Sequence, residues 1–369
     1  ERHLLLFARE VPAVGYRLYA VGYRLYSVEK AETAPGASPG FPLQARWNDL
    51  GVVTSILEEK SRREMLGPAG ERPFGGLYVG SNRESFRLQS AAVAEARVTE
   101  GPVTRRVKLA RPGSALPLSI VTLYREASYA DLRFDVDLGV LQDDAGRELR
   151  YALAFPLRND RQVFVDGAGF VLRAPQELLP GGQASHYMPV HFAHFEQGNG
   201  WGVTLANRDS FALRPDLLFL VAYAGGTAQT REEGRQRLFR TEPRSAPVQS
   251  FHFRIGIHGD RRWEWKRFGA ELNLPLRAAV VHGEQVPPAR GFFELSDPAV
   301  QLLAFKPAEN RPGWHVLRLL EIAGTGAKGV KLSSPFRIAE ALAATTVEEP
   351  AGPRFELGSF SLRPWETLT

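Results

Sequence analysis

Along residues 131–140 apolar and polar side chains alternate without interruption: Leu132, Phe134, Val136, Leu138 and Val140 fall on one side, Asp131, Arg133, Asp135 and Asp137 on the other. In an extended chain successive side chains point to opposite faces, so a period of two demands a strand with one face in a core and the other wet. Residues 251–258 repeat the pattern, with Phe251, Phe253, Ile255 and Ile257 directed inward. Segments 103–110 and 118–124 are equally short and rich in β-branched or apolar residues, and Gly101-Pro102 and Pro112-Gly113 punctuate them. Short strands at this spacing specify an antiparallel all-β sandwich rather than alternating β-α units. A single strand is expected over 85–96 and a weakly helical stretch over 230–239. The pattern changes to helical spacing over 262–272, where Trp265, Phe268 and Leu272 share one face.

Residues 302–324 read as two strands joined by a polar turn at Asn310, Pro312 and Gly313. The second strand carries apolar residues on both faces and so belongs in the interior of a sandwich. Arg318 and Glu321 interrupt it on opposite faces. They cannot pair with each other across the strand, and each needs its own partner.

The remaining bounds are compositional. A chain of 369 residues with 44% hydrophobic content can bury a large core and build two domains. The absence of cysteine excludes disulfides, thiolate metal sites and a cysteine nucleophile, and fits a reducing, cytoplasmic location. A net charge of +5 without a long Lys/Arg run gives no nucleic-acid tract. No apolar stretch approaches the roughly 20 residues of a membrane helix, so a soluble chain with no membrane partner is expected. The sequence opens at Glu1 directly into an apolar run at 4–7, as a piece of a longer polypeptide would.

An exact tandem duplication occupies 13–26, where AVGYRLY occurs twice in succession. Seven residues is an odd number, so Tyr16 and Leu18 of the first copy face the side opposite Tyr23 and Leu25 of the second. Either a bulge near Gly22 restores the register or only one copy belongs to the sheet.

Several places carry residue types suited to chemistry. The carboxylates Asp131, Asp135 and Asp137 form either a metal or acid/base site or, with Arg133, a solvated polar face. HYMPVHFAHFE at 186–196 is the densest cluster of ligand-type residues. On a strand, His194 and Glu196 share a face with His186 while His191 points away, so all four cannot reach one zinc ion. His194 with Glu196 remains the one pair to consider for proton transfer at a sugar ring, the chemistry of an epimerase or mutarotase. Trp201, Trp47 and Trp314 are each either core or a platform for a sugar face. Trp201, His194 and Glu196 are therefore the carbohydrate-contact candidates, either of a stand-alone carbohydrate-binding module or of a larger enzyme.

Six separate segments, in order along nearly the whole chain, resemble the C-terminal β region of glycoside hydrolase family 38 α-mannosidases. They are VPAVGYRLY at 11–19, GVVTSILEEKSRRE at 51–64, EGPV at 100–103, the strand 251–260 running into a helix and Pro275-Leu276, LRLLE at 317–321 with Gly324, and LRPWETL at 362–368. The resemblance implies a large sandwich of galactose-mutarotase-like topology over 1–275 and a smaller β-sandwich over 276–369. It implies further that zinc and the aspartate nucleophile belong to a separate N-terminal catalytic domain of the same polypeptide, joined through a helical bundle. No catalytic residue carries over onto this chain, which needs no cofactor of its own. The partners expected are that catalytic domain, a mannoside and, through an orphaned interface, a second copy of the chain. The family pattern has one copy of the tyrosine heptapeptide, so the second is a departure.

Overall fold

The computed structural model describes residues 8, 11–12, 14–18, 40–48, 51–67, 74–81, 87–89, 91–137, 139–140, 149–155, 157, 162–177, 187–209, 212–213, 218–224, 248–279, 287 and 289–369. It is an all-β sandwich. The expected helical stretch at 230–239, the second heptapeptide copy at 20–26 and His186 lie outside the described residues.

The largest sheet has nine antiparallel strands. In chain order these are β1 (Glu95–Glu100), β2 (Thr104–Ala110), β3 (Leu118–Tyr124), β4 (Tyr129–Asp137), β5 (Gln162–Asp166), β6 (Val171–Ala174), β7 (Phe192–Gln197), β8 (Trp201–Asn207) and β9 (Val248–Gly259). Their spatial order is β6-β5-β7-β8-β9-β4-β3-β2-β1. The two strictly alternating segments are direct neighbours: β4 and β9 pair along their length, from Tyr129 opposite Gly256 to Asp137 opposite Val248. Leu132, Phe134, Val136, Phe251, Phe253 and Ile255 are all buried on the inner face, as the period of two requires. The alternation ends sooner than expected. Val140 is 50% exposed, because the Asp137 carboxylate accepts hydrogen bonds from the Gly139 and Val140 amides, at 2.9 and 3.4 Å, and turns the chain.

The opposing layer is a five-stranded sheet ordered Ala212–Leu213, Leu218–Ala224, Leu149–Ala154, Leu77–Ser81, Arg87–Gln89. Leu77, Leu153 and Phe155 from this side meet Leu132, Phe134, Leu205 and Phe253 from the other in one core. Phe155 centres an aromatic seam, with ring centroids 4.7 Å from Phe253, 5.1 Å from Phe74 and 6.1 Å from Phe134. Edge-to-face and tilted pairs of this kind add about 0.5–1.5 kcal/mol each beyond area burial. The strand expected over 85–96 is two strands: Arg87–Gln89 joins the five-stranded sheet and β1 the nine-stranded one, so this segment crosses between layers.

Helix α1 (Arg262–Asn273) follows β9 and covers the outer face of the large sheet. Trp265 and Phe268 are buried from it, against Phe164, Val171, Phe192 and Ala206. Burial on that scale stabilises by roughly 2–3 kcal/mol per aromatic side chain. Glu264 in the first turn complements the helix dipole, and Pro275 lies just past the end.

A separate core gathers Val300, Leu319, Ala327, Val330, Leu332, Phe360 and Leu362. Around it run the strands Val300–Pro307, His315–Glu321 and Thr367–Leu368 in one sheet, and Val14–Arg17, Ala289–Leu295 and Leu332–Ser333 in another. His315–Glu321 is the central strand of its sheet, the interior position its two apolar faces demand. Its charges find separate partners. Arg318 donates from Nε to Thr369 Oγ1 at 3.2 Å and from Nη2 to the Thr346 carbonyl at 2.8 Å. Glu321, wholly buried, accepts from the backbone amides of Ala323 (3.0 Å), Gly324 (2.9 and 3.1 Å) and Trp365 (2.8 Å). The N-terminal strand Val14–Arg17 lies within the first heptapeptide copy, and its register shifts between Val14 and Gly15; Gly22 lies outside the described residues. A β-carbon at Gly15 would lie 2.0 Å from the Arg290 carbonyl oxygen, so this close approach requires glycine. Among the described residues no helix is long and apolar enough to cross a membrane.

Candidate functional site

The pair singled out by residue type, His194 and Glu196, lies on β7, one of the three strands that α1 packs across. His194 is 1% exposed and its imidazole stacks on the Trp265 indole at 3.7 Å between centroids and 11° between planes. Its Nδ1 is 2.9 Å from Thr204 Oγ1, and the Nδ1 of His258 lies at the same distance from that oxygen. A hydroxyl carries one proton. Thr204 can therefore donate to at most one of the two imidazoles, so at least one ring carries its proton on Nδ1. The His258 ring meets Phe268 edge-on at 4.5 Å. Burial lowers the His258 imidazole to about 4. His194 is pushed well below its ordinary value, first by burial and then by the neighbouring His258. Both are neutral at pH 7.

The local sequence is built for this packing. A β-carbon at Gly202 would sit 2.4 Å from His194 Nε2, so only glycine leaves the ring its place. Trp265 Nε1 donates to the Gly259 carbonyl at 2.8 Å, and Asn273 Nδ2 to the Asn207 carbonyl at 3.0 Å. Lys266 Nζ reaches Asp166 Oδ1 at 2.8 Å, both side chains being buried, and donates to the Gly167 carbonyl at 3.2 Å. His191 stands before β7, outside the imidazole pair; its amide donates to Asp166 Oδ2 at 3.0 Å. Glu196 is half-buried two residues from His194, but the hydrogen-bond partner of His194 Nδ1 is Thr204. His194, expected to contact carbohydrate, thus presents no surface to a ligand in this arrangement.

Two of the three β4 carboxylates, Asp131 and Asp135, are ion-paired individually, and Asp137 caps the turn that follows. Arg254 binds Asp131 through Nε at 2.6 Å and Nη2 at 3.1 Å, while Tyr124 donates to the same carboxylate at 2.6 Å. Arg133 binds Asp135 at 2.8 and 3.0 Å, and Ser250 donates to it at 2.7 Å. Among the described residues no three His, Asp or Glu side chains gather to hold a metal ion. The donor set present, two buried imidazoles sharing one hydroxyl, does not fit zinc.

The tryptophans divide. Trp201 and Trp47 are half-buried and pack against the main core, and the Arg63 guanidinium lies 4.9 Å over the Trp201 ring. Trp314 instead lines a cavity of about 780 Å³ beside the separate core of Val300 to Leu362. This cleft opens between the strands Val300–Pro307 and His315–Glu321 and the irregular segment 334–341. Phe305 is 44% and Phe336 47% exposed at its wall. Phe305 stacks with His315 at 5.2 Å and meets Phe293 edge-on at 4.8 Å. Arg311 covers Trp314 at 4.2 Å. Residue type named Trp314 as a sugar platform; Phe305 and Phe336 were missed, and the only available signal was their place on strand-edge and irregular segments.

No family model matches the chain, and no curated protein matches it. Solved structures do. An α-mannosidase from Enterococcus faecalis V583 superposes with a TM-score of 0.62 at 15% identity, over 88% of this chain and 41% of that one. A protein of glycosyl hydrolase family 38 from Enterococcus faecalis gives a TM-score of 0.65 at 15% identity, over 89% and 42%. At this identity the likeness is one of fold, and the chain spans about two-fifths of the length of those proteins.

Proposed function

We propose that this chain is the non-catalytic β-sandwich portion of an α-mannosidase-like retaining glycosidase that acts on mannose-containing glycans, seated against a catalytic domain of the same polypeptide. The observation that carries the reading is the superposition of nearly the whole chain on two-fifths of a family 38 structure. The side chains of this chain support it. Retaining hydrolysis needs a nucleophile and an acid facing one substrate, whereas His194 and His258 are enclosed under α1, Asp131 and Asp135 are engaged by Arg254 and Arg133, and Asp137 caps a turn. Zinc and the nucleophile belong, in this reading, to the partner domain.

The seat for that domain is the end of the large sheet beside the C-terminus of α1. Asn207 donates its amide to the His191 carbonyl and Asn273 reaches the Asn207 carbonyl, so the chain just after Tyr187 and the chain just after Asn273 come side by side. There Met188, Leu274 and Leu276 are 74, 71 and 67% exposed, more apolar surface than a free domain keeps without a purpose.

The test is to express the chain alone and together with the region encoded upstream, and to assay α-mannoside hydrolysis with zinc supplied. The chain alone is expected to be inert and the pair active, with M188D/L276D abolishing association. Zinc-dependent hydrolysis by the chain alone would overturn the proposal, as would a reading frame that begins near Glu1.

A further inference from the structure

We infer that the cleft lined by Phe305, Trp314 and Phe336 is a binding site for a neutral saccharide, with Phe305 and Phe336 as its platforms. The inference takes its ligand class from the glycosidase reading and its place from the cleft itself. A volume of about 780 Å³ falls within the range of about 300–1,000 Å³ typical of small-ligand sites and accommodates more than one pyranose ring.

The lining specifies the chemistry. A pyranose has an apolar C–H face and a rim of hydroxyls, so it is held by aromatic planes flanked by planar hydrogen-bonding groups. The aromatic planes form a continuous run. Phe292 stacks on Phe336 at 5.7 Å, Phe336 meets Phe293 at 6.0 Å, and Phe293 leads to Phe305 and His315. Phe305 and Phe336 keep nearly half their surface open, although their neighbours fix them in place. Rings that are both exposed and held by packing lose little rotamer freedom when a ligand arrives.

Polar groups stand beside these rings. Arg337 and Glu340 project from the exposed segment next to Phe336, and Arg311 and Glu348 stand across the cleft. The two guanidinium groups and two carboxylates give no net field for an ionic ligand, yet both types bind vicinal hydroxyls in bidentate fashion. Glu348 is held by Lys306 at 2.5 Å and accepts from the Glu309 amide at 3.2 Å, which places its carboxylate before any ligand binds.

The experiment is calorimetric titration of the full chain with methyl α-mannopyranoside, mannotriose and, as a charged control, glucuronate. Mannotriose is expected to bind in the range of about 0.1–1 mM, more tightly than the monosaccharide, with glucuronate giving no preference. F336A and R337M/E340Q, which alter exposed side chains and leave the fold intact by circular dichroism, are each expected to weaken binding about tenfold or more. No binding of any neutral saccharide by the folded chain overturns the inference, and so does binding that both variants retain, because the site would then be elsewhere. Either failure leaves the glycosidase reading to its own test, since that depends on activity of the assembled polypeptide and not on this cleft.

Discussion

Acidification should loosen helix α1 through the buried imidazoles beneath it. His258 is held at about 4 in the folded state against an ordinary 6.5. A base whose folded pKa is depressed leaves stability unaffected above its unfolded value, where both states are neutral. As pH falls below that value the unfolded state takes a proton that the folded state refuses, and stability is lost until the folded pKa is reached. The depression amounts to about 2.5 pH units, or roughly 3.4 kcal/mol in full, of which roughly 2 kcal/mol is lost between pH 7 and pH 5. His194 adds a loss of the same sign, because burial and His258 lower it too. Glu271, on α1 itself and raised by burial, works in the opposite sense, because the folded state takes its proton more readily as pH falls, and it offsets part of this loss; Glu348 and Glu366, held low by the Lys306 ammonium and by the Arg363 amide respectively, act only below the ordinary carboxylate value of 4.5. Hydrogen exchange of the α1 amides reads the local opening free energy directly and avoids assuming that two separate cores unfold together. H258F keeps an aromatic contact with Phe268 while removing the proton site, so its loss between pH 7 and pH 5 should be smaller than the wild type's by roughly 2 kcal/mol. A wild-type helix whose protection is unchanged at pH 5, or an H258F variant with the full wild-type slope, would refute the reasoning.

Two further changes probe buried charge. Asp166→Asn leaves the Lys266 ammonium buried without its carboxylate and should cost about 3–5 kcal/mol; thermal unfolding coincident with wild type would show that the pair carries no such weight. Glu321→Gln turns an amide NH₂ toward backbone donors that now meet only carboxylate oxygens, and is expected to destabilise the Gly324 and Trp365 turns by about 2–3 kcal/mol. Exchange protection of those two amides reports the effect, and wild-type protection in the variant would contradict it.

The strands were legible because their evidence is local. Period two in β4 and β9 names the inward residues, and helical spacing after Asp260 names Trp265 and Phe268, with no need to know what they touch. Glu321 and Arg318 were legible for a related reason: a charge inside an apolar strand announces that a partner exists, even though the sequence does not say that three backbone amides and a terminal threonine supply it. The missed crossing at 85–96 is a loss of the same information, since nothing in a short run of residues says which layer the next strand will join.

His194 shows where local evidence stops. Alternation places it correctly on the face opposite Phe195 and the main core, and an outward-facing histidine two residues from a glutamate then reads as a site. What decides its chemistry is the cover. Trp265 and Phe268 arrive from a helix some seventy residues later in the chain, His258 arrives from β9, and Gly202 and Gly256 clear the space into which the rings settle. The outer face of the sheet is a second interior there, and desolvation sets the charge state of the imidazoles. Trp314 is the converse. Its neighbours along the chain resemble those of a core tryptophan, but the segment that faces it, 334–341, forms no strand, and the two layers stay apart at that end. Burial of an aromatic residue depends on what the opposite layer brings, and this difference, which residue type alone leaves undecided, separates a closed histidine pair from an open cleft.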